Sequence, residues 1–236
     1  MNFDLISMAA IAVTVSAVLL TFATAFGRNL REQATIAGVL AAWFAAVIAY
    51  GASGAQAGGV AGLGIAVVLP LALLCGLAFG SQAGRRRMAE APLVPLIAVQ
   101  TLRVLGVLFL FLYGWNRLPA PFAPQAGWGD VLVGMLAAPV ALTVYRSQRS
   151  VKPPVIGWSL LGMADLATAL TLGPLSSPGP MQIFRAGADG VALTSLPWIL
   201  IPGFLVPCFL FLHIVVLWRT VRAPGLQQSA ANPAWA

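Results

Sequence analysis

The chain has 236 residues, of which 60% are hydrophobic and only 8% are charged, and its mean hydropathy is +0.92. Water-soluble domains of this length do not carry so much apolar surface, so the composition excludes them and indicates a polytopic membrane protein. The net charge of +7 does not indicate a nucleic-acid partner, because the basic residues lie in short segments between apolar runs.

Seven apolar runs follow one another along the chain, and each is long enough to cross a bilayer. We predict helical spans at 4–26, 33–52, 59–80, 93–115, 127–146, 155–173 and 194–218. The sequence therefore predicts an all-α fold, a bundle of seven transmembrane helices. It forms a single domain over 1–223, and a flexible cytoplasmic tail follows over 224–236.

The basic residues predict the orientation of the bundle. Only Arg117 and Arg185 lie on one side of the predicted membrane. Ten basic residues lie on the other side: Arg28, Arg31, Arg85, Arg86, Arg87, Arg146, Arg149, Lys152, Arg219 and Arg222. By the positive-inside rule, the N-terminus is outside and the C-terminus is cytoplasmic, in a bacterial inner membrane. Membrane lipids, including anionic headgroups on the basic side, are the expected partners.

Arg103 lies in the middle of the fourth span, in the run PLVPLIAVQTLRVLGVLFLFLYGW. A rise of ~1.5 Å per residue places it ~12–18 Å from either end of the run, near the centre of a hydrocarbon core ~30 Å thick. A guanidinium at that depth costs at least ~2.5–3.5 kcal/mol, so it must face protein or water and have a partner.

Asp165 in the sixth span lies at the same depth as Arg103 and is its predicted partner. The pair is either a structural strut between two helices or a ligand- or ion-binding pair in a cavity, unless the two side chains never meet. Helical spacing places Gln100, Arg103, Gly106 and Gly114 on one inward face of the fourth span. Small residues beside a charge permit close packing or leave room for water or a ligand.

Two further ionisable residues lie within the predicted spans. Asp130 is in the first turn of the fifth span, where the helix dipole favours a carboxylate. Alternatively it is an acidic group at an outward-facing mouth near Asn116 and Arg117, able to accept a proton or bind a cation. His213 is the only histidine, which excludes a bis-histidine haem within one subunit and any multi-histidine metal site. It is a packing residue, or it has a pH-sensitive or quinone-contacting role.

The seventh span contains prolines at intervals of five, in the string LPWILIPGFLVPCFLFLH. Each proline removes a backbone hydrogen bond, so Pro197, Pro202 and Pro207 predict a bent or partly unwound outer half.

Two families with this topology can be compared with the chain. Microbial rhodopsins need a lysine in the last helix to attach retinal, whereas the only lysine of this chain is Lys152, in a predicted loop. Small sugar transporters of the 3+1+3 type carry a proline–glutamine signature in a span, whereas Pro124-Gln125 lies in a predicted loop. The likeness to them is one of topology only.

A closer resemblance covers about 93–219. Its motifs are LRVLGVLFLFLYGWNRLPAPFAPQAGWGD, WSLLGMADLATALTLGPLSSPGP and TSLPWILIPGFLVPCFLFLH. These strings resemble a group of uncharacterised bacterial multi-pass membrane proteins, to which no function is attached. The resemblance marks as motif positions Arg103, Pro119, Gly127, Asp130, Asp165, Pro202 and His213.

The leading functional prediction is binding or passage of a small solute or ion through a polar interior. The candidate ligand- or ion-binding residues are Arg103, Asp165, Asp130, Gln100 and His213. The alternative is an accessory or structural subunit of a larger membrane complex, such as a redox complex that binds a quinone or lipid, with another membrane protein or a second copy as partner. We expect no catalytic or metal site and no cofactor beyond a bound lipid or quinone, and an enzyme is the least supported class because no acid–base or nucleophile constellation is present.

Overall fold

A computed structural model describes residues 3–53, 59–146, 151–185, 187–188 and 190–222, and the regular structure within these ranges is helical. The predicted tail over 224–236 and the basic residue Arg149 lie outside the described residues.

The first three helices are joined by short links. Helix α1 covers Phe3–Phe26, α2 covers Leu30–Ala52 and α3 covers Gly59–Phe79. A short helix, α4, covers Gln82–Glu90 and leaves α3 at an angle of 94°. Ser81 starts α4, because its hydroxyl accepts a hydrogen bond from the Gly84 N–H. Helix α4 therefore runs across one end of the bundle instead of continuing through it.

The remaining four helices form the centre of the bundle. They are α5 (Leu93–Gly114), α6 (Phe122–Arg146), α7 (Lys152–Ser176) and α8 (Ile201–Arg222). Helix α5 narrows to a 3₁₀ helix over Val99–Gly106, and α8 begins with a π turn over Ile201–Leu205.

Two predicted helix starts were wrong by five residues or more, and each has a local cause; the other predicted ends differ from the structure by at most four residues. Helix α6 begins at Phe122 and not at 127, because the sequence after Pro121 is already helical. Helix α8 begins at Ile201 and not at 194, because the segment with Pro197 forms turns ahead of it. Pro202 lies in the π turn, so the predicted unwinding of the outer half is present.

Six helices of the described chain are long and apolar enough to cross a membrane, and the count is seven if α3 and α4 form one bent span. Large apolar side chains such as Leu20, Leu77 and Met135 are exposed on their outer faces. This arrangement is that of a multi-pass membrane protein, with lipid as the solvent of those faces.

The basic links meet at one end of the bundle. Arg28 pairs with Glu90 at 3.0 Å, and Arg87 pairs with Glu32 at 3.1 Å. At the opposite end, Arg117 pairs with Asp4 at 2.9 Å. Each of these pairs is electrically neutral, and the first end is the more basic one because further arginines line a cavity there.

Burial separates a central helix from a peripheral one. In the most apolar stretch of α8, 67% of the residues are buried within the protein, whereas in α2 the fraction is 6%. Helix α2 packs on α1 and on the π turn of α8, and α3 packs on α8. A groove therefore remains between α2 and α3.

Helices α5 and α6 lie close together because glycine faces the backbone of the neighbouring helix. A Cβ atom added to Gly134 would lie 2.6 Å from the Val104 nitrogen, which is closer than atoms can approach. On α2, by contrast, a Cβ atom added to Gly38 would meet nothing within 4 Å.

We expect Gly134→Ala to lower the free energy of unfolding by about 1–3 kcal/mol, because the added methyl group forces α5 and α6 apart. The matched control Gly38→Ala should raise it by about 0.5–1 kcal/mol, as alanine does in an open helix position. Thermal unfolding of the detergent-purified protein checks both, and equal melting temperatures for the two variants would contradict the close packing.

Candidate functional site

Arg103 lies in the 3₁₀ segment of α5, and its side chain is completely buried. A 3₁₀ helix has three residues per turn, so side chains three apart lie in one row. Gln100, Arg103 and Gly106 occupy such a row, and all three are buried. The predicted inward stripe is therefore present from Gln100 to Gly106, where the 3₁₀ winding aligns it better than an α-helix would, but Gly114, also predicted on it, is exposed.

The Arg103 guanidinium contacts three other helices. Its Nε donates to Asp130 Oδ1 of α6 at 2.7 Å, and its Nη2 donates to Asp165 Oδ2 of α7. Its Nη1 lies 3.0 Å from His213 Nε2 of α8. All three nitrogens are used, so one side chain joins the four central helices. We call these four residues the Arg103 cluster.

The predicted pairing of Arg103 with Asp165 is confirmed. The predicted place of Asp130 was wrong in two respects. Asp130 is in the ninth position of α6 and not in its first turn, because the helix begins at Phe122. It also bonds to Arg103 and not to Arg117, which pairs with Asp4. The two acidic sites of the sequence analysis are one site.

Each partner of Arg103 packs against a glycine of a neighbouring helix. A Cβ atom added to Gly106 would overlap with Asp130, and one added to Gly129 would overlap with Asp165. A Cβ atom added to Gly162 would overlap with the ring of His213. Close packing of small residues beside the charges was predicted for Gly106 and Gly162, but their partners were not, and Gly129 was missed although it directly precedes Asp130. The absence of a side chain at these three glycines therefore leaves room for the three partners of Arg103.

His213 is held in one tautomer by its contacts. Arginine only donates hydrogen bonds, so Nε2 of His213 accepts from Arg103 and carries no hydrogen. The imidazole is then neutral, with its hydrogen on Nδ1. Nδ1 has no hydrogen-bond partner among the described residues. The ring packs against Trp158, with the ring centroids 4.6 Å apart, and the Trp158 indole N–H is used by the Val133 carbonyl.

Gln100 is buried beside the cluster but does not bond to it. Its amide nitrogen donates to the carbonyl of Phe209 on α8 at 3.1 Å. Its amide oxygen has no partner in the described part of the chain. Gln100 therefore ties α5 to α8 and leaves a free acceptor in the interior.

Two small cavities lie beside Asp130. One of about 60 Å³ is bordered by Phe122, Pro174 and Leu193, and one of about 40 Å³ also reaches Arg103. Since a cavity volume of ~10–15 Å³ is enough for one water molecule, each of these two cavities has room for only a few water molecules. The larger one extends from Asp130 toward the end where α6 begins and α7 ends.

The charges of the cluster do not balance. One guanidinium faces two carboxylates, and the imidazole is neutral, so the cluster has a net charge of −1 when both acids are ionised. Burying an uncompensated charge is strongly unfavourable. The arrangement can therefore hold one further positive charge. Within the described residues, no group of three or more His, Cys, Asp and Glu side chains is placed to hold a metal ion.

Comparison with known proteins gives one match. A family model described as a domain of unknown function (DUF8737) matches residues 60–221. No match to a curated protein or to a solved structure is found. The matched range contains the whole Arg103 cluster.

We expect Arg103→Met to lower the free energy of unfolding by about 3–5 kcal/mol, because it leaves two carboxylates buried together. Adding Asp130→Asn and Asp165→Asn to the same chain removes those charges and should recover most of the loss. Thermal unfolding in detergent measures both. A triple variant no more stable than the single one would contradict this account of the cluster.

We expect His213 to be neutral, with hydrogen on Nδ1 and none on Nε2. Because the chain has a single histidine, labelling with ¹⁵N-histidine gives the signal of this ring alone. Nitrogen NMR of the labelled protein distinguishes the two tautomers. A hydrogen on Nε2 is incompatible with the Arg103 contact.

Proposed function

The chain belongs to the DUF8737 family, whose description names no activity, and from the Arg103 cluster we propose that the protein binds a proton or a small cation in the membrane interior and passes it across. The observation that carries the proposal is the charge imbalance: two aspartates share one arginine inside the bundle. Ion passage requires a site that binds a positive ion and can release it again, and a cluster with one excess negative charge is such a site.

The size of the available space supports an ion over a larger solute. The cavities beside Asp130 measure about 60 and 40 Å³, whereas ligand pockets for organic molecules usually have ~300–1,000 Å³. A proton carried by water, or a small cation that has lost most of its water, fits this space.

Access to the cluster favours one end of the bundle. Asp130 and Asp165 keep 17% and 10% of their side chains exposed, whereas Arg103 keeps none. The cavity at Asp130 extends toward the end of the bundle where α1 begins. Phe3 of α1 lies at that end, where its ring packs on Trp115 and Trp198. We propose that the ion enters the cluster from this end.

The proposal includes the membrane and the orientation. The basic end, with Arg28, Arg87 and Arg219, is cytoplasmic by the positive-inside rule. In a seven-span bundle the end where α1 begins then faces the outside of a bacterial inner membrane. Entry at that end corresponds to entry from outside the cell.

A second candidate is an accessory subunit of a larger membrane complex. It is supported by α2, on which Leu40 is the one buried residue, so most of this helix is free to contact another membrane protein or lipid. In that case the Arg103 cluster is a strut, and the isolated protein moves no ion.

We expect Asp130→Asn to abolish ion binding while the protein stays folded, because Arg103 and Asp165 then form a balanced pair. If the ion is a proton, the wild type has one protonated carboxyl group, whose carbonyl stretch is visible in infrared difference spectra and disappears in the variant. If the ion is Na⁺ or K⁺, that salt raises the melting temperature of the wild type but not of the variant.

Ion passage is measured on the full chain in lipid vesicles with an imposed pH or Na⁺ gradient. We expect flux in the wild type and only the leak of empty vesicles for Asp130→Asn. Asp4→Asn is the matched control, since Asp4 pairs with Arg117 at the surface and should keep the wild-type rate. If the well-folded wild type shows no flux and binds no proton or cation, the Arg103 cluster is a structural strut.

A further inference from the structure

A much larger cavity lies at the opposite end of the bundle from the one at Asp130. It measures about 630 Å³, is open on one side, and is lined by the end of α1, the start of α2, the end of α3 and α4. Its inner wall is apolar and is formed by Phe22, Phe26, Ile36, Leu74 and Phe211. This volume is within the range of sites that hold an organic ligand.

The rim of the cavity is basic. Arg28, Arg86 and Arg87 line it. The charges of Arg28 and Arg87 are balanced by Glu90 and Glu32. Arg86 is exposed and has no ion-pair partner within the described residues. The rim therefore has one positive charge that nothing in the described structure neutralises, directly above an apolar wall.

The position of α4 sets the depth of these arginines. Since α4 makes an angle of 94° with α3, it lies along the membrane surface when α3 crosses the bilayer. Residues Arg85, Arg86 and Arg87 are then at the level of the lipid headgroups. The apolar wall lies deeper, at the level of the acyl chains.

The space between α2 and α3 continues into the membrane. A second cavity, of about 380 Å³, lies between the same two helices and is lined by Trp43, Tyr50, Leu69 and Ile199. Two apolar cavities thus follow one another along α2 and α3, starting at the basic end. Apolar spaces in this order beneath a basic rim match a chain with one charged end.

We propose that this cavity is a binding site for an anionic phospholipid. The phosphate group binds at Arg86, with Arg28 and Arg87 beside it, and an acyl chain lies against Phe22, Leu74 and Phe211. The lipid fills the gap that α2 and α3 leave and holds α2 in place. This site is separate from the Arg103 cluster, so its occupancy does not depend on ion passage.

The test uses the full chain, purified and stripped of lipid in detergent, with native mass spectrometry as the readout. Dioleoyl phosphatidylglycerol and dioleoyl phosphatidylcholine are titrated in parallel, because they share acyl chains and differ in net charge. We expect the first to bind more tightly. Arg86→Gln should weaken it about fivefold, as expected for one cation at the membrane surface, and should weaken the second less, because the choline group offsets the charge of its phosphate.

The matched control is Arg31→Gln, which removes an exposed arginine of the same end that does not line the cavity. It should leave both affinities unchanged. Ile36→Trp fills the apolar part and should weaken both lipids. Soluble glycerol phosphate should not bind, because a headgroup without acyl chains lacks the apolar contacts.

Equal affinity for the two lipids in the wild type, or equal effects of Arg86→Gln and Arg31→Gln, would overturn the proposal. Unchanged affinities in Ile36→Trp would place the lipid outside the cavity and overturn it too. A dimer that persists after removal of lipid would assign the groove to a second copy of the chain. Both arginine variants should keep the wild-type melting temperature, since both side chains are exposed.

Discussion

The guanidinium of Arg103 is the interaction on which the arrangement of the central helices depends. It is completely buried at the middle of α5 and bonds to one residue from each of α6, α7 and α8. A charged group in an apolar interior is tolerated only with such partners, so the positions of three helices are fixed by the needs of one side chain. The glycines facing those partners follow from the same requirement.

The stability of the Arg103 cluster and its net charge have different origins. Stability needs the arginine to have at least one carboxylate, and a single aspartate would satisfy that. The second aspartate, Asp130, adds a negative charge but is not needed to attach its helix. Helix α6 already packs closely on α5 through Gly134. Asp130 still accepts a hydrogen bond from Arg103, but its charge exceeds what one guanidinium balances, and this excess supports the proposed ion-binding function.

The sequence predicts the helices and one contact of the cluster for physical reasons. Apolar runs must span the bilayer, and two opposite charges at the same depth attract each other, so Arg103 and Asp165 could be paired by counting residues. Asp130 was misplaced because the start of α6 lies in PAPFAPQAG, where prolines suggest a loop although a helix follows Pro121. The contact of His213 with Arg103 depends on how α8 is rotated, which a helix with an irregular first turn does not reveal in its sequence.

The 3₁₀ segment of α5 links the charge of the cluster to the shape of the helix. Over eight residues, a 3₁₀ helix is about 4 Å longer than an α-helix and is wound about 160° further. Rewinding Val99–Gly106 into an α-helix would thus shorten α5 and turn one of its halves against the other. Arg103 cannot follow that rotation while it holds Asp130 and Asp165. The ion pairs with Asp130 and Asp165 would therefore have to break before α5 could change its winding.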